Sequence, residues 1–381
     1  MNKNIVLIRN AQPYDFGGGE RFPVFVAKAL KSEGFTPTVI SRSDSLLRFA
    51  DENSVATIKG WWWAHQQWSG RWVLLFPVYF LWQVILFFYY LALFIRLNPS
   101  VVHIQSKDDF IAGTFAAKLL SRRVIWTDHA DLKHVWLNVA RWFRNPVGKL
   151  VYSMALHTDT ISVVSESEKR AVLSNLNPSS KVAQKLKVVY NGAFDQYVSR
   201  PIQQQQSFVY TCVSRLVTDK GIGELIQAFL KVQEKHSDTV LWLIGDGRER
   251  KKFENAANNN DSIIFHGQQA DPVQFLAQSN VFVHPTYHEG FSLALVEASM
   301  MKLPIIATNV GGNPEIIIDN ETGLLVPEKD VTALTEAMIK LREDAELRTK
   351  LSEHARTQYI ALFKFEDIVK NVFIPLYKGT T

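Results

Sequence analysis

The stretch FVYTCVSRLVTDKGIGELIQAF, residues 208–229, decides the fold, because a strand-like segment runs through a short turn into a helix-like one. Residues 208–214 have the apolar character of a strand, and the helix-like pattern begins near Gly223. A strand followed directly by a helix is the repeating unit of a parallel sheet covered by helices.

The same alternation extends in both directions along the chain. Further strand-like segments follow at 240–247, 262–267, 281–285 and 304–308, and others precede at 4–9, 37–41, 101–105, 123–127, 160–165 and 187–192. A polar, glutamine-rich stretch at 195–207 interrupts the pattern and is typical of a linker. At 381 residues the chain is too long for one ordinary domain. We therefore predict two Rossmann-like α/β domains with a ligand cleft at the carboxyl ends of their strands.

The composition is that of a globular protein in a reducing compartment. Hydrophobic residues make up 47% and charged residues 21%, so disorder is not expected. The single cysteine, Cys212, excludes an internal disulfide framework and any multi-cysteine metal site. The first ten residues, MNKNIVLIRN, resemble a first strand more than a secretory signal. We expect a cytoplasmic protein.

An apolar run at 72–95, WVLLFPVYFLWQVILFFYYLALFI, is long enough to cross a membrane. A single crossing would place the strand-like segments 4–9 and 100–106 on opposite sides of the bilayer. We therefore expect a helix or bent hairpin, broken near Pro77, that is partly buried and partly inserted into one leaflet. The alternative is an apolar helix buried in a large core. Four tryptophans in WWWAHQQW, residues 61–68, favour an interface.

Residues 118–150 carry most of the positive charge. Seven basic residues stand against Asp128 and Asp131, interleaved with aromatic residues; the basic residues are Lys118, Arg122, Arg123, Lys133, Arg141, Arg144 and Lys149. The aromatic residues are Trp126, Trp136, Trp142 and Phe143. This pattern fits an anionic membrane surface, and equally a solvated helix face with its aromatic residues in the core. We expect no nucleic-acid partner.

Charged residues follow the strand-like segments of the second half. Arg215 and Lys220 bracket the turn after 208–214, where two cations beside a helix N-terminus suit a diphosphate. The sequence IGDG at 244–247, with Gly245 and Asp246, predicts a tight turn that lets backbone approach a ligand.

The stretch HPTYHEGFSLALVEA, residues 284–298, places Glu289 in a loop, Ser292 at a helix N-cap and Glu297 on the first turns of that helix. Amides around Gly290, Phe291 and Ser292 would then suit phosphate oxygens. The two carboxylates suit sugar hydroxyls, because a charged acceptor makes a strong hydrogen bond.

These motifs together resemble retaining glycosyltransferases of family 4, which adopt the two-domain GT-B fold. The order and spacing match in SRLVTDKG, IGDG, HPTYHEGFSLALVEA, PIIATNVGGNPEII and ETGLLVP, densely over 208–328. The resemblance extends over nearly the whole chain through weaker matches in FGGGERFPVFVAKALKSEGF, VVHIQS, TDH and VVYNGAF.

The resemblance implies two facing domains, with the last helix crossing back to the first. The bounds that we predict are 1–195 for the acceptor-side domain, with a membrane-associating segment at 61–97, then 208–360 for the donor domain and 361–381 for the returning helix.

The resemblance also implies roles for individual residues. Arg215 and Lys220 would bind the donor diphosphate and stabilise the leaving nucleotide in place of a metal ion, so no cofactor is expected. Glu297 would hold the ribose hydroxyls, and Glu289 a hydroxyl of the transferred sugar, with the amides of Gly290 to Leu293 nearby.

In the first domain, the resemblance implies that His129 approaches the reacting carbon of the sugar. Gly17, Gly18 and Gly19 would let backbone pass close to the donor phosphates or the acceptor. The reaction would retain configuration at the anomeric carbon. A lipid-linked saccharide or glycolipid precursor as acceptor would explain the tryptophans, the apolar run and the basic segment together. The alternatives are a nucleotide-sugar epimerase of the same fold and a catalytically silent membrane scaffold.

Two positions depart from the family pattern. Lys302 stands where the family has a glycine at a helix end, so we expect a local change in that turn. HGQQAD at 266–271 matches the loop near the nucleotide base only loosely.

Overall fold

The structure is a computed structural model that describes residues 2–10, 18–61, 75–129, 132–135, 146–174, 176, 180–197, 207–269 and 271–380. The chain forms two compact units, each with its own core. Unit 1 consists of Met1–Asn191 with Phe365–Thr381, and unit 2 of Gly192–Lys364. Most of the predicted linker, at 198–206, lies outside the described residues.

Within its described residues, unit 1 contains a parallel sheet of seven strands in the order β3-β2-β1-β4-β5-β6-β7. The strands are β1 Asn4–Ile8, β2 Thr36–Ser41, β3 Ala56–Lys59, β4 Val101–Ile104, β5 Arg123–Asp128, β6 Thr160–Val163 and β7 Leu186–Val188. The helices are α1 Gly18–Ser32, α2 Asp44–Glu52, α3 Phe76–Leu97, α4 Phe110–Leu119, α5 Leu132–Val135, α6 Pro146–Ala155 and α7 Glu166–Leu173.

Unit 2 contains, in its described part, a parallel sheet of six strands in the order β10-β9-β8-β11-β12-β13. The strands are β8 Phe208–Val213, β9 Thr239–Ile244, β10 Ile263–Gly267, β11 Val281–His284, β12 Ile305–Thr308 and β13 Leu324–Val326. The helices are α8 Ile222–Lys235, α9 Arg250–Ala256, α10 Val273–Leu276, α11 Leu293–Met300, α12 Asn313–Ile316, α13 Val331–Glu343 and α14 Ala345–Gln358.

Burial of apolar strands between helices builds each core. In unit 1, Trp126 on β5 is fully buried and stacks on Phe110 with ring centroids 4.1 Å apart. Its indole nitrogen donates a hydrogen bond to Thr114 Oγ1 at 2.8 Å, which satisfies the buried N–H. Trp126 is therefore a core residue and not part of a membrane-facing aromatic surface.

The last residues of the chain pack on unit 1. Helices α15 Phe365–Ile368 and α16 Ile374–Lys378 flank a π-helical turn at Val369–Phe373. Phe365 and Phe373 each meet Phe22 of α1 edge to face, with ring centroids 5.8 Å apart. The prediction that the C-terminal helix returns to the first domain is confirmed.

Helix α3 corrects one expectation about the apolar run. Pro77 lies in the first turn of this 22-residue helix, which continues without a break to Leu97. At that position a proline has no intrahelical hydrogen bond to lose, so it starts the helix and does not bend it. Residues 62–74, with four of the tryptophans, lie outside the described residues.

One face of α3 packs on unit 1 through polar as well as apolar contacts. Gln83 donates to the Asp108 carbonyl at 3.1 Å and accepts from the Ala112 amide at 3.2 Å, and Tyr90 donates to Asp109 Oδ1 at 2.8 Å. Within the described residues, α3 alone is long and apolar enough to cross a membrane, a property that buried core helices share.

The turn after α11 corrects a second expectation. Lys302 has φ of 55°, in the left-handed region where the family glycine is expected. Its amide donates to Ser299 O and that of Leu303 to Ala298 O, both at 3.1 Å. The expected local change in this turn is wrong, because lysine adopts the glycine-like conformation and preserves the turn.

Candidate active site

The candidate site of unit 2 lies where the strand order reverses. The chain runs outward from β8 through β9 to β10, and then returns to place β11 on the other side of β8. The carboxyl ends of the strands at such a switch point form the usual ligand site of a parallel α/β sheet. Lys220 follows β8 and Glu289 follows β11, so the two charges come from the strands that flank the reversal.

Lys220 and Glu289 form a largely enclosed ion pair. Lys220 Nζ lies 2.8 Å from Glu289 Oε2, with side-chain exposures of 12% and 20%. Burial raises the pKa of the Glu289 carboxyl, but the His284 contact and the Lys220 charge outweigh it and hold the pKa at about 2. Glu289 is therefore a carboxylate at every physiological pH.

His284, the last residue of β11, is the third member of this cluster and is absent from the sequence-based prediction. Its side chain is almost fully buried, and its Nε2 lies 3.4 Å from Glu289 Oε2, which is long for a hydrogen bond. Burial lowers the pKa of His284, against the opposing influence of Glu289. The imidazole is neutral at pH 7, so Lys220 supplies the cation that keeps Glu289 ionised.

Backbone contacts hold the loops of this site in place. Gly221 has φ of 67°, and a Cβ there would overlap the Pro285 carbonyl oxygen, so only glycine fits. The Tyr287 amide donates to the Asp219 carbonyl at 2.8 Å, which ties the loop after β11 to the loop after β8. The Gly312 amide donates to the Glu289 carbonyl at 3.1 Å. These contacts fix the backbone of Glu289 from two sides.

The IGDG turn lies beside the loop that carries Arg215. Gly245 has φ of 129°, and a Cβ there would overlap the Ser214 carbonyl oxygen, so the close approach of the two backbones requires glycine here. Asp246 Oδ1 accepts from the Gly247 amide at 2.7 Å, and its Oδ2 lies 3.3 Å from Arg250. The Asp246 carboxylate is thus engaged within its own turn, while the Arg215 side chain is exposed.

Helix α11 begins as predicted. Ser292 is the N-cap, and its hydroxyl accepts from the Leu295 amide at 3.3 Å. Phe291 is buried and contacts Phe363 with ring centroids 5.7 Å apart. Gly290 and Leu293 flank this cap, and Glu297 lies half-buried in the second turn of the helix. The cap fixes the helix N-terminus next to the Glu289 loop.

A second polar cluster lies at the strand ends of unit 1. Arg9, after β1, pairs with Glu20 of α1 at 2.9 Å and donates to the Gln105 carbonyl, after β4, at 2.5 Å. Gly19 lies between Arg9 and His129, since a Cβ there would be 3.4 Å from Arg9 Nη2 and 3.9 Å from His129 Nδ1. Arg9 and Gln105 follow β1 and β4, the strands that flank the reversal in unit 1, and His129 follows the next strand, β5.

His129 is neutral in this cluster. Burial, together with the nearby Arg9 charge, lowers its pKa well below the ordinary value. Its ring meets Phe22 edge to face, with centroids 5.1 Å apart. Of the predicted glycines, Gly18 begins α1 and Gly19 lies beside His129, whereas Gly17 lies outside the described residues. Arg9 and Gln105 were not predicted, although each stands at a strand end, where the same rule could have found them.

No group of three His, Cys, Asp or Glu side chains that could hold a metal ion occurs in the described part of the chain. Arg215 and Lys220 both follow β8 of unit 2.

Solved structures share this architecture over nearly the full chain. A glycosyltransferase from Rickettsia africae is 21% identical with a TM-score of 0.77, and the match covers 99% of this chain and 98% of that one. HepE from Anabaena, in complex with UDP and glucose, is 18% identical with a TM-score of 0.76, covering 98% of both chains. The two parallel α/β units therefore define the GT-B fold, as predicted.

Family matches identify the class of enzyme. Residues 16–194 match the family described as Glycosyltransferase Family 4, and residues 197–358 match Glycosyl transferases group 1. The capsular polysaccharide biosynthesis glycosyltransferase CapM of Staphylococcus aureus is 27% identical over 285 residues, which is 70% of this chain and 73% of CapM. The chain belongs to glycosyltransferase family 4 and is a glycosyltransferase.

Proposed function

We propose that this glycosyltransferase moves a sugar, with retention at the anomeric carbon, from a nucleotide-diphosphate sugar to a hydroxyl of a lipid-linked saccharide or glycolipid precursor. The observation that carries the donor half is the enclosed Lys220–Glu289 pair at the strand reversal of unit 2. It presents a cation for phosphate and a carboxylate for hydroxyls within one small site.

Each part of the nucleotide-sugar donor has a residue suited to bind it. Arg215 and Lys220 would bind the diphosphate, helped by amides of residues 290–293 at the N-terminus of α11. Glu289 would accept a hydrogen bond from a sugar hydroxyl, and Glu297 from the ribose. The complex of HepE with UDP and glucose supports a donor of this class. UDP is thus the first nucleotide to test.

The chemistry follows from where charge develops. The bond between the anomeric carbon and the diphosphate breaks, the acceptor oxygen bonds to that carbon, and the acceptor proton passes to the departing diphosphate. Two negative charges on the leaving group are met by Arg215 and Lys220, so these side chains do the work of a metal ion. His129, neutral and half-buried in unit 1, would supply a polar contact to the sugar without a positive charge.

The exposed face of α3 supports an acceptor at a membrane surface. Buried residues lie on one side of the helix, and the opposite side exposes large apolar side chains: Val78, Phe80, Leu81, Val84, Ile85, Phe88 and Ile95. Phe115 and Leu119 of the neighbouring helix α4 are exposed as well. An apolar face of this size suits the interfacial region of one leaflet, with the helix lying along it. We refer to these nine residues as the α3 face.

The basic segment contributes less to this proposal than its composition indicates. Lys118 pairs with Asp159 at 2.5 Å and Lys133 with Glu168 at 2.6 Å. Arg122 donates to Asn98 and Arg123 to the Leu376 carbonyl. Arg141 and Arg144 lie outside the described residues. The membrane proposal therefore rests on the α3 face, at the cytoplasmic side of the bilayer, and the name of CapM supports a role in polysaccharide synthesis.

The donor assignment is tested by Lys220→Ala. We expect it to lower turnover of the preferred nucleotide sugar by about 100-fold or more, because a charge on the leaving group loses its partner. The donor is first selected by thermal shift from UDP-glucose, UDP-N-acetylglucosamine, UDP-galactose and GDP-mannose, since a ligand of the folded state raises the melting temperature.

The matched control is Lys231→Ala, at an exposed position on α8, which should leave turnover unchanged. Near-normal activity of Lys220→Ala would refute the assignment. Turnover to an epimer without any acceptor would identify an epimerase, and lack of donor binding would leave only a scaffold role.

A further inference from the structure

The two residues that contact Glu289 approach the same oxygen. Lys220 Nζ lies 2.8 Å and His284 Nε2 3.4 Å from Oε2. Among the described residues, none donates a hydrogen bond to Oε1. A side chain held at one oxygen presents the other in a defined direction, so Oε1 is available to accept a hydrogen bond from a ligand hydroxyl.

His284 is otherwise poorly satisfied for a buried polar side chain. Neither ring nitrogen has a hydrogen-bond partner among the described residues, although the side chain is only 4% exposed. Its ring stacks on Phe282 with centroids 6.3 Å apart. A leucine or phenylalanine would fill this place without the cost of burying two polar atoms. The Glu289 contact is what distinguishes histidine from an apolar residue here.

We propose that His284 is a positioning residue for the donor sugar: its Nε2 edge packs 3.4 Å from Oε2 of Glu289 while Lys220 donates a hydrogen bond to the same oxygen, and together they hold the carboxylate so that Oε1 points to a sugar hydroxyl. The carboxylate nearby favours the tautomer with the proton on Nε2. The inference rests on the proposed function, because it assumes that Glu289 contacts the transferred sugar.

The test compares ligands with and without the sugar. Wild type, His284→Leu and His284→Gln are titrated by calorimetry with UDP-glucose and with UDP, or with the corresponding pair for another selected donor. We expect His284→Leu to weaken binding of the nucleotide sugar about tenfold, while the free nucleoside diphosphate binds as before. His284→Gln, whose amide nitrogen can replace Nε2–H, should recover most of the loss.

A double-mutant cycle separates positioning from a general effect on the fold. In a Glu289→Ala background, His284→Leu should cause no further loss of sugar binding, because the residue acts through Glu289. Equal weakening of both ligands, or a loss that persists without Glu289, would overturn the inference. If the wild-type protein binds neither ligand of any pair, it is the proposed function that fails.

Discussion

Lys302, two residues after the end of α11, has a backbone conformation that costs an L-residue about 1–2 kcal/mol relative to the right-handed regions. Its ammonium lies 3.1 Å from Glu353 Oε1, in an exposed ion pair. Such a pair contributes at most about 1 kcal/mol, so it offsets only part of the cost. The position therefore carries residual strain that a glycine would relieve.

The comparison is made in a Glu353→Gln background, which removes the ion pair. In that background, Lys302→Gly should raise the free energy of unfolding of unit 2 by about 1 kcal/mol. The gain is read from the free energy of unfolding in urea. Lys302→Ala in the same background keeps the positive φ and should show no gain. A glycine variant that is no more stable than the alanine variant would contradict the strain argument.

The candidate site was predictable where the residues occur in a spaced motif. Lys220 and Glu289 stand 69 positions apart, yet the order of strands and loops places them at the same sheet edge, and their side chains meet. His284 carries no such signal, because a single histidine at a strand end is common in a core. Its relation to Glu289 depends on the path of the loop between them, which sequence spacing does not specify.

At the level of elements, α3 is apolar on all sides in sequence but has two different faces in the structure. Gln83 and Tyr90 hydrogen-bond to the segment before α4, so their face belongs to the protein. Among the described residues, no comparable polar contact is made by the α3 face on the opposite side. Since apolar residues occur on every side of the helix, periodicity does not distinguish these faces, and only the packing does.

Replacing Leu81 and Phe88 together by serine should weaken binding to vesicles of mixed anionic and zwitterionic lipid by about tenfold or more. Both side chains are more than 60% exposed, so the change removes apolar area from the membrane contact and not from the core. Co-sedimentation measures the effect, and the melting temperature should stay constant.

The control for this prediction is the pair Ile318→Ser and Leu362→Ser in unit 2, where both side chains are also exposed. It lowers surface apolarity to a similar degree at sites in the other unit. Equal vesicle binding by wild type and the Leu81/Phe88 variant would exclude the α3 face as the membrane contact.

Sequence predicted the central strands and missed two at sheet edges. Edge strand β3 is ATIK, whose side chains are at most half-buried, and β13 has only three residues. A strand covered on both faces needs a continuous apolar run, whereas an edge strand does not, so the usual signal is weak there. The boundaries of helix α3 depend on whether Pro77 starts the helix or breaks it, and the sequence alone does not distinguish these two roles.

For the whole molecule, the C-terminal segment is part of the unit 1 core. His103 on β4 joins it to the sheet, because its Nδ1 lies 2.7 Å from Tyr377 Oη and its Nε2 2.6 Å from Thr127 Oγ1. Burial lowers the pKa of His103 from 6.5 to about 3. The folded chain therefore holds this imidazole neutral over a pH range in which the unfolded chain protonates it.

Unit 1 should lose stability as the pH falls below 6.5, because the unfolded state then binds a proton that the folded state excludes until about pH 3. One such group costs about 1.4 kcal/mol for each pH unit. Between pH 7.5 and 5.0, the free energy of unfolding of the wild type should therefore fall by about 2 kcal/mol more than that of His103→Gln. Tryptophan fluorescence in urea measures this, since nine of the ten tryptophans precede residue 143.

His157→Gln, at an exposed position, serves as the matched control and should follow the wild-type pH dependence. An identical pH dependence for wild type and His103→Gln would show that His103 is not the group that titrates on unfolding.

The return of residues 365–381 to unit 1 also sets an order for biosynthesis. The ribosome completes all of unit 2, residues 192–364, before it makes the aromatic side chains that cover Phe22. At a translation rate of about 5–20 residues per second, roughly ten to forty seconds pass between the synthesis of the unit 1 sheet and the synthesis of its last helices. During that interval, the core of unit 1 lacks residues 365–381, and Phe22 lacks the aromatic side chains that pack on it. Unit 2 is contiguous in the chain and depends on no later segment for its own core.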